Sequence, residues 1–201
     1  MIKLLASLTS ALFGLGLLAG AASAASVAPS QQEAPAQAVI VPASASPGDA
    51  TGEVDGFKRG KLVDFAAAAE AGDIVINTRQ NRLYFVLGDG RAVMYRVATA
   101  KRGFEWRGSH QVSAKVKWPD WRPPVEMRKR RPELPAYMAG GPNNPLGARA
   151  IYLGSSIYRI HGTNEPSSIG KAASSGCIRM LNEDVSELYK HVKIGARVTV
   201  L

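Results

Sequence analysis

A single cysteine, Cys177, stands in this chain of 201 residues, and one of only three histidines, His161, lies sixteen positions before it. A thiol attacks as its thiolate, and a nearby imidazole both favours that form and carries the proton away. The residues leading into the sulfur are small. Gly176 removes side-chain bulk where a substrate backbone would approach, and Ser174 and Ser175 offer hydroxyls instead of core-filling groups. His161 is followed by a loop long enough to fold back and set imidazole beside sulfur. His110 sits where a strand starts, and His191 suits a helix C-terminus, so neither has a comparable setting. The alternative is that Cys177 is a buried small hydrophobe, as most free cysteines are. Exported proteins tend to pair their cysteines, and an unpaired thiol is exposed to oxidation. The residues by themselves leave both readings open.

The elements that must hold these side chains are mostly strands. Residues 61–71, Ala-rich and stopped by Gly72, read as a short helix. Strand signals follow at 73–77, 82–87 and 92–97, the last two joined as a hairpin by the turn Gly88-Asp89-Gly90. Residues 112–118 alternate apolar with polar or basic, as a half-buried strand does. A second hairpin, 150–153 with 156–160, delivers His161. After Cys177, Asn182 reads as the cap of a helix whose Val185, Leu188 and Val192 share one face. Its acidic start and its basic end at Lys190 and His191 suit the helix dipole. Gly195 turns the chain into a last strand at 197–201. The sum is a mainly β domain with one or two short helices. Between them, residues 118–146 form a proline-rich, basic insert with Trp118 and Trp121, which either wall a substrate groove or cap the core. Its cluster Arg128-Lys129-Arg130-Arg131 is either a binding surface or a solvated loop face.

Compartment and charge narrow the partners. Lys3, an apolar run from Leu4 to Leu18 and Ala22-Ser23-Ala24 make residues 1–24 a signal peptide with an A-x-A cleavage site. The run is short for a membrane span, and Ala21 stands where a lipid-bearing cysteine would follow "LLAG". Residues 25–57, rich in Ala, Ser, Pro and Gln, cannot bury enough apolar surface to offset their ordering entropy and read as a disordered linker. From Lys58 to Leu201 there are 24 Lys or Arg against 12 Asp or Glu, a balance of about +12. An exported basic domain meets anionic envelope polymers, carboxylate-bearing peptides or lipid head groups, not nucleic acid. There is neither a metal-binding Cys/His cluster nor a phosphate-cradling glycine loop, so no cofactor is expected.

The stretch "IHGTNEP…IG…SSGCIRM.N.D…LY" strongly resembles the L,D-transpeptidase catalytic (YkuD) domain family. The resemblance extends upstream through "GGPNNPLGARAIYLG" at 140–154 to the strands beginning near Asp73, about two-thirds of the chain. Carried over by position, it implies a β-sandwich at residues 58–201 in which Cys177 is the acyl-accepting nucleophile and His161 its base. It further implies that the Gly162 carbonyl orients the imidazole and that N–H groups around Gly176 and Cys177 form an oxyanion hole. Arg179 would grip a substrate carboxylate or brace the site. Two departures stand out. Ser175 occupies the place where the family usually has histidine, and "FEWRGS" at 104–109 replaces a Thr-Pro-rich turn.

The activity implied is attack of Cys177 on the third residue, a diamino acid, of a peptidoglycan tetrapeptide stem, with release of terminal D-alanine. An amine of a second stem, or of a lysine on an envelope protein, would then resolve the thioester. The rivals are an L,D-carboxypeptidase, with water as acceptor, and a non-catalytic wall-binding module in which Ser175 marks decayed chemistry.

Overall fold

The computed structural model describes residues 56–154 and 156–201. The expected signal peptide and nearly all of the expected linker lie outside the described residues. Eleven strands and two α-helices follow, so the domain is mainly β, as expected. The strands are β1 (Lys61–Asp64), β2 (Ile74–Asn77), β3 (Arg82–Gly88), β4 (Arg91–Arg96), β5 (Thr99–Ala100) and β6 (Gly108–Lys117). After helix α1 (Val125–Arg130) come β7 (Arg149–Leu153), β8 (Arg159–His161), β9 (Ala172–Ser174) and β10 (Ile178–Arg179). Helix α2 (Asn182–His191) and β11 (Arg197–Val200) complete the chain. Among the described residues no helix is long and apolar enough to cross a membrane.

Hydrogen-bonded neighbours run β1-β4-β3-β2-β11-β6-β7-β8-β10, and β5 pairs with β9 apart from them. Strand β6 belongs to both halves of this series. Its first residues pair with β11 (Val198↔His110) and the rest with β7 (Lys115↔Ile151), with an irregularity between Val112 and Ala114. Ser113, left over there, donates its hydroxyl to the Gly154 carbonyl at 2.9 Å. An extra residue of this kind bends and twists a strand, which lets one strand serve two layers. One core lies between them. Ile74, Ile76, Leu83 and Phe85 from the first half meet Ile151, Leu153, Ile160 and Ile178 from the second, with Val185, Leu188 and Val192 of α2.

The helix expected over 61–71 does not form. Residues 61–64 instead pair antiparallel with β4, from Lys61↔Met94 to Asp64↔Arg91. A helix of this length is marginal in isolation, and the open edge of β4 offered each backbone group a partner. Phe65 then buries against Val75, Tyr84, Val86 and Ala92 on the outer face of the sheet, a contact that a helix would have forfeited. The basic insert holds a helix that its low periodicity concealed. Helix α1 buries none of its residues.

Core packing includes the residue before Lys58. Phe57 is buried and stacks on His191 at 3.8 Å between ring centroids. The carboxylate of Glu187, on α2, accepts the backbone N–H of Lys58 (2.6 Å), Arg59 (3.1 Å) and Gly60 (3.2 Å) and the Tyr95 hydroxyl (2.8 Å). Arg59 Nε adds an ion pair to Asp184 at 2.9 Å. One side chain thus fastens the start of the domain to its last helix. Glu187→Ala strands several donors at once and is expected to cost about 3 kcal/mol, read as a lowered urea midpoint. An unchanged midpoint would show that residues 57–60 lie outside the cooperative unit.

Candidate active site

Strand alternation builds the site. In β8, Ile160 is fully buried in the core, so Arg159 and His161 face the other way. In β10, Ile178 is buried likewise, so Cys177 and Arg179 face that same side. The two strands pair in parallel, Ile178↔Ile160 and Arg179↔His161. Continuing this register by two residues sets Cys177 beside Arg159. Four side chains therefore form a two-by-two array with the thiol and the imidazole on one diagonal and the guanidinium groups on the other.

The loop that carries the thiol is clamped from behind. Ala98 and Arg179 exchange backbone hydrogen bonds (2.8 and 2.9 Å), and Lys101 N–H donates to the Ser174 carbonyl at 3.0 Å. Ser174 is buried; its hydroxyl donates to the Cys177 carbonyl at 2.5 Å and accepts the Gly176 N–H at 3.2 Å. The Ser174 hydroxyl thus holds the loop together, and Ser174 also borders the cleft in front of the thiol. Its hold on the Gly176 N–H also removes that donor from the expected oxyanion hole. Glycine is needed at 176 for a different reason from the one the sequence suggested. Its φ is +113°, and a Cβ there would lie 2.6 Å from the Tyr158 ring. Tyr158 stacks on Trp106 at 4.2 Å, and Trp106 donates Nε1–H to the Gly176 carbonyl at 2.7 Å.

His161 is buried, and its Nδ1 lies 2.6 Å from the Gly162 carbonyl oxygen. A carbonyl only accepts, so Nδ1 carries the proton and Nε2 keeps its lone pair. Burial is the main cause that lowers the imidazole from 6.5 to about 3; the Gly162 hydrogen bond opposes this, and the charges of Arg179 and Arg159 add to it. The ring is thus neutral at any ordinary pH, with its Nε2 lone pair free to accept, and burial makes it a weaker base than a solvated imidazole. Gly162 is itself held by its N–H bond to the Arg149 carbonyl at 3.0 Å, and its neighbours by Asn182, whose Oδ1 accepts N–H groups from Ala148 (2.9 Å) and Thr163 (3.1 Å). Leu181, not Asn182, occupies the N-cap of α2, because the Asn182 side chain is engaged with these two strand-end amides.

Cys177 is half-buried, and its thiol points at the Ile157 carbonyl oxygen at 3.9 Å. Burial pushes the thiol up. Arg159 opposes this through its charge, its backbone N–H and its side chain, and the charge of Arg179 acts in the same sense. The Arg159 guanidinium lies over the Tyr152 ring at 5.1 Å, and its buried Nε has no hydrogen-bond partner among the described residues. Arg179 donates to Glu165 at 2.9 Å. Arg159 and Glu165 were not singled out from the sequence, and Asn182 was read there only as a helix cap. Arg159 was within reach there, since it lies two residues before His161 on one strand and so must share its face.

The array opens into a cleft of about 590 Å³ that also takes in Ser175, Trp121, Phe104, Met127, Leu134 and Tyr158. Its cations are Lys101, Arg130, Arg131, Arg159 and Arg179, against the one carboxylate of Glu165. The basic cluster thus divides: Arg130 and Arg131 border the cleft, while Lys129 pairs with Glu126 outside it. The two tryptophans divide as well. Trp121 is buried in the cleft wall, its backbone bonded both ways to Met138 at 2.8 Å. Trp118 does not border this cleft; it stands exposed over a neighbouring cavity of about 270 Å³.

The chain is 37% identical over 137 residues to probable L,D-transpeptidase ErfK/SrfK of Escherichia coli K12, covering 64% of this chain and 43% of that protein. It is 36% identical over 133 residues to putative L,D-transpeptidase YqjB of Bacillus subtilis, covering 63% of this chain and 69% of that one. The chain thus spans less than half the length of ErfK/SrfK. An L,D-transpeptidase of Mycobacterium smegmatis shares the fold, with a TM-score of 0.53 at 13% identity over 72% of this chain and 69% of that one. The pattern of the L,D-transpeptidase catalytic domain matches residues 71–200. That span is well over half of the sequence and takes in every member of the four-residue array, and the chain belongs to the L,D-transpeptidase catalytic domain (YkuD) family.

Proposed function

We propose that this protein is an exported peptidoglycan L,D-transpeptidase working through a cysteine thioester. The observation that carries the reading is the array itself: a thiol, a neutral buried imidazole of fixed tautomer and two guanidinium groups on one face of paired strands, inside a basic cleft.

Nε2 of His161 takes the proton of Cys177, and the sulfur attacks the carbonyl carbon of the third residue, a diamino acid, in a tetrapeptide stem. Negative charge develops on the carbonyl oxygen. The N–H of Cys177 and the Arg159 guanidinium are the donors on hand for it, since Gly176 N–H already bonds to Ser174. Collapse expels the amine of terminal D-alanine, which takes the proton from His161 and leaves a thioester. An acceptor amine, from a second stem or a lysine on an envelope protein, attacks in turn; His161 receives its proton, and Cys177 is restored. The cationic rim of Lys101, Arg130 and Arg131 suits a stem peptide with several carboxylates. Ser175, in the cleft wall, stands as a small neighbour of the thiol where the family usually has histidine. Arg179, tied to Glu165, braces the array. The reading also takes residues 1–24 as a signal peptide, so that the mature protein begins at Ala25 in the periplasm.

Incubating the purified protein with a tetrapeptide donor, then separating released D-alanine, cross-linked, hydrolysed and amine-exchanged products, tests the proposal. Release of D-alanine with cross-linked dimer is the expected result. Tripeptide as the sole product would make the protein a carboxypeptidase. No release of D-alanine would leave a binding module.

A further inference from the structure

Trp118 closes β6 in a backbone conformation that side chains rarely adopt, with φ at +46°. Two contacts hold it there. Its N–H donates to the Ala148 carbonyl at 2.9 Å, and its own carbonyl packs so close to Gly140 that a Cβ at 140 would lie 2.0 Å from the oxygen. The surroundings therefore fix an unfavourable backbone angle and leave the indole 45% exposed. Among the described residues no ring or cation stacks on it. Strain maintained in order to present a large apolar face to solvent points to a ligand.

The cavity beneath it has a chemistry of its own. Besides Trp118 it is bordered by Pro142, Pro166 and Leu181, and by the polar side chains of Thr163, Asn164 and Glu183. No lysine or arginine borders it, whereas five border the catalytic cleft. An anionic ligand finds no side-chain cation here. A flat apolar wall facing amide, hydroxyl and carboxylate groups instead fits a neutral sugar, with its C–H face on the indole and its hydroxyls turned to Asn164 and Glu183. Asn164 borders both cavities, and its side-chain amide is fixed by the Asn143 carbonyl at 2.9 Å. Thr163 lies two residues beyond His161. The two cavities are thus adjoining rooms on either side of one short loop.

We infer that the Trp118 cavity is a saccharide subsite, which takes an uncharged N-acetylhexosamine of the glycan strand while the attached peptide stem occupies the cationic cleft. This rests on the transpeptidase reading for the identity of the peptide. Its reach is short: Asn164 borders both cavities, and three extended residues span up to about 10 Å. The subsite makes a stem still joined to its glycan the better donor.

Two measurements on the full chain test this. In the first, kcat/KM is compared for a free tetrapeptide and for the same tetrapeptide on its disaccharide. Wild type should favour the glycan-bearing donor by about two- to tenfold. Trp118→Ala should abolish that preference by raising KM for this donor alone, and Trp118→Phe should keep most of it. Equal use of both donors by wild type, or an equal loss on both in Trp118→Ala, would overturn the subsite. The second measurement needs no turnover. The indole N–H resonance of Trp118, identified by its disappearance in Trp118→Phe, should shift on adding the neutral N-acetylglucosamine disaccharide. Absence of that shift rules the subsite out. A shift in a protein that releases no D-alanine would retain the subsite and sink the transpeptidase reading.

Discussion

His161→Ala is expected to slow single-turnover acylation of Cys177 about 10²–10⁴-fold, and Cys177→Ala to end it. The size of the effect follows from how the imidazole is held. Burial and the two guanidinium charges keep it neutral, and the Gly162 carbonyl fixes the tautomer that leaves Nε2 able to accept. No other side chain of the four-residue array takes up a proton at neutral pH, because both of its remaining members are arginines. Acylation by a carbapenem, followed by intact-mass spectrometry, gives the rate directly. The imidazole is lowered to about 3 and burial pushes the thiol up, so neither group changes protonation state between pH 5 and 8, and the wild-type acylation rate should be flat there. An acid limb that fell away near pH 6.5 would mean a solvated, ordinary imidazole and would contradict the geometry. His161→Ala acylating at the wild-type rate would remove it from the mechanism altogether.

Arg159→Gln is expected to reduce acylation by roughly ten- to hundredfold, the range for losing a hydrogen bond to a charged group. Arg159 faces the thiol through its charge, its backbone N–H and its side chain, all of which oppose the effect of burial. Glutamine keeps the backbone donor and much of the stem but loses the charge. The thiol of the variant should therefore titrate higher than in wild type. Iodoacetamide alkylation followed against pH should show its rise displaced toward alkaline pH. Arg159→Lys should recover part of the rate, since charge returns without the planar fork. The orphaned Nε of Arg159 gives an independent reason to expect function there, because buried polar groups without partners are uncommon in stable scaffolds. An alkylation profile identical to wild type would reduce Arg159 to a spectator.

The candidate pair Cys177 and His161 stood out in the sequence because both residues are rare and sit in a recognisable frame. Cys177 had no competitor, and the contexts of His110 and His191 set them aside. Strands with strong alternation or all-apolar runs, such as Ile74-Val75-Ile76, were equally plain. Less visible was anything decided by contacts distant in sequence. The Ala-rich stretch after Lys61 has good helix propensity, but propensity carries no information about the vacant edge of β4. Asn182 has the composition of a cap, yet two amides from 148 and 163 claim its oxygen. Gly176 was read as making room for substrate, when it makes room for Tyr158 eighteen residues away. Trp118 and Trp121, three apart and framed by prolines, gave no hint that one faces the cleft and the other an adjoining cavity.

The order of the strands carries a consequence for how the protein comes into being. Among the described residues β11 comes after every other strand in sequence, yet it lies in the middle of the series, parallel to β2 and antiparallel to β6. With everything up to residue 196 already made, the two halves still lack the four residues that hydrogen-bond to both of them. Until then β2 and β6 keep raw edges open to the wrong partners. A chain that emerges N-terminus first therefore leaves these two halves unjoined by β11 until residues 197–200 arrive, with the slow step set by pairing across more than a hundred residues of sequence between β2 and β11. Strand β11 thus works as a clasp: until it arrives, no hydrogen bond joins β2 to β6 through the middle of the series.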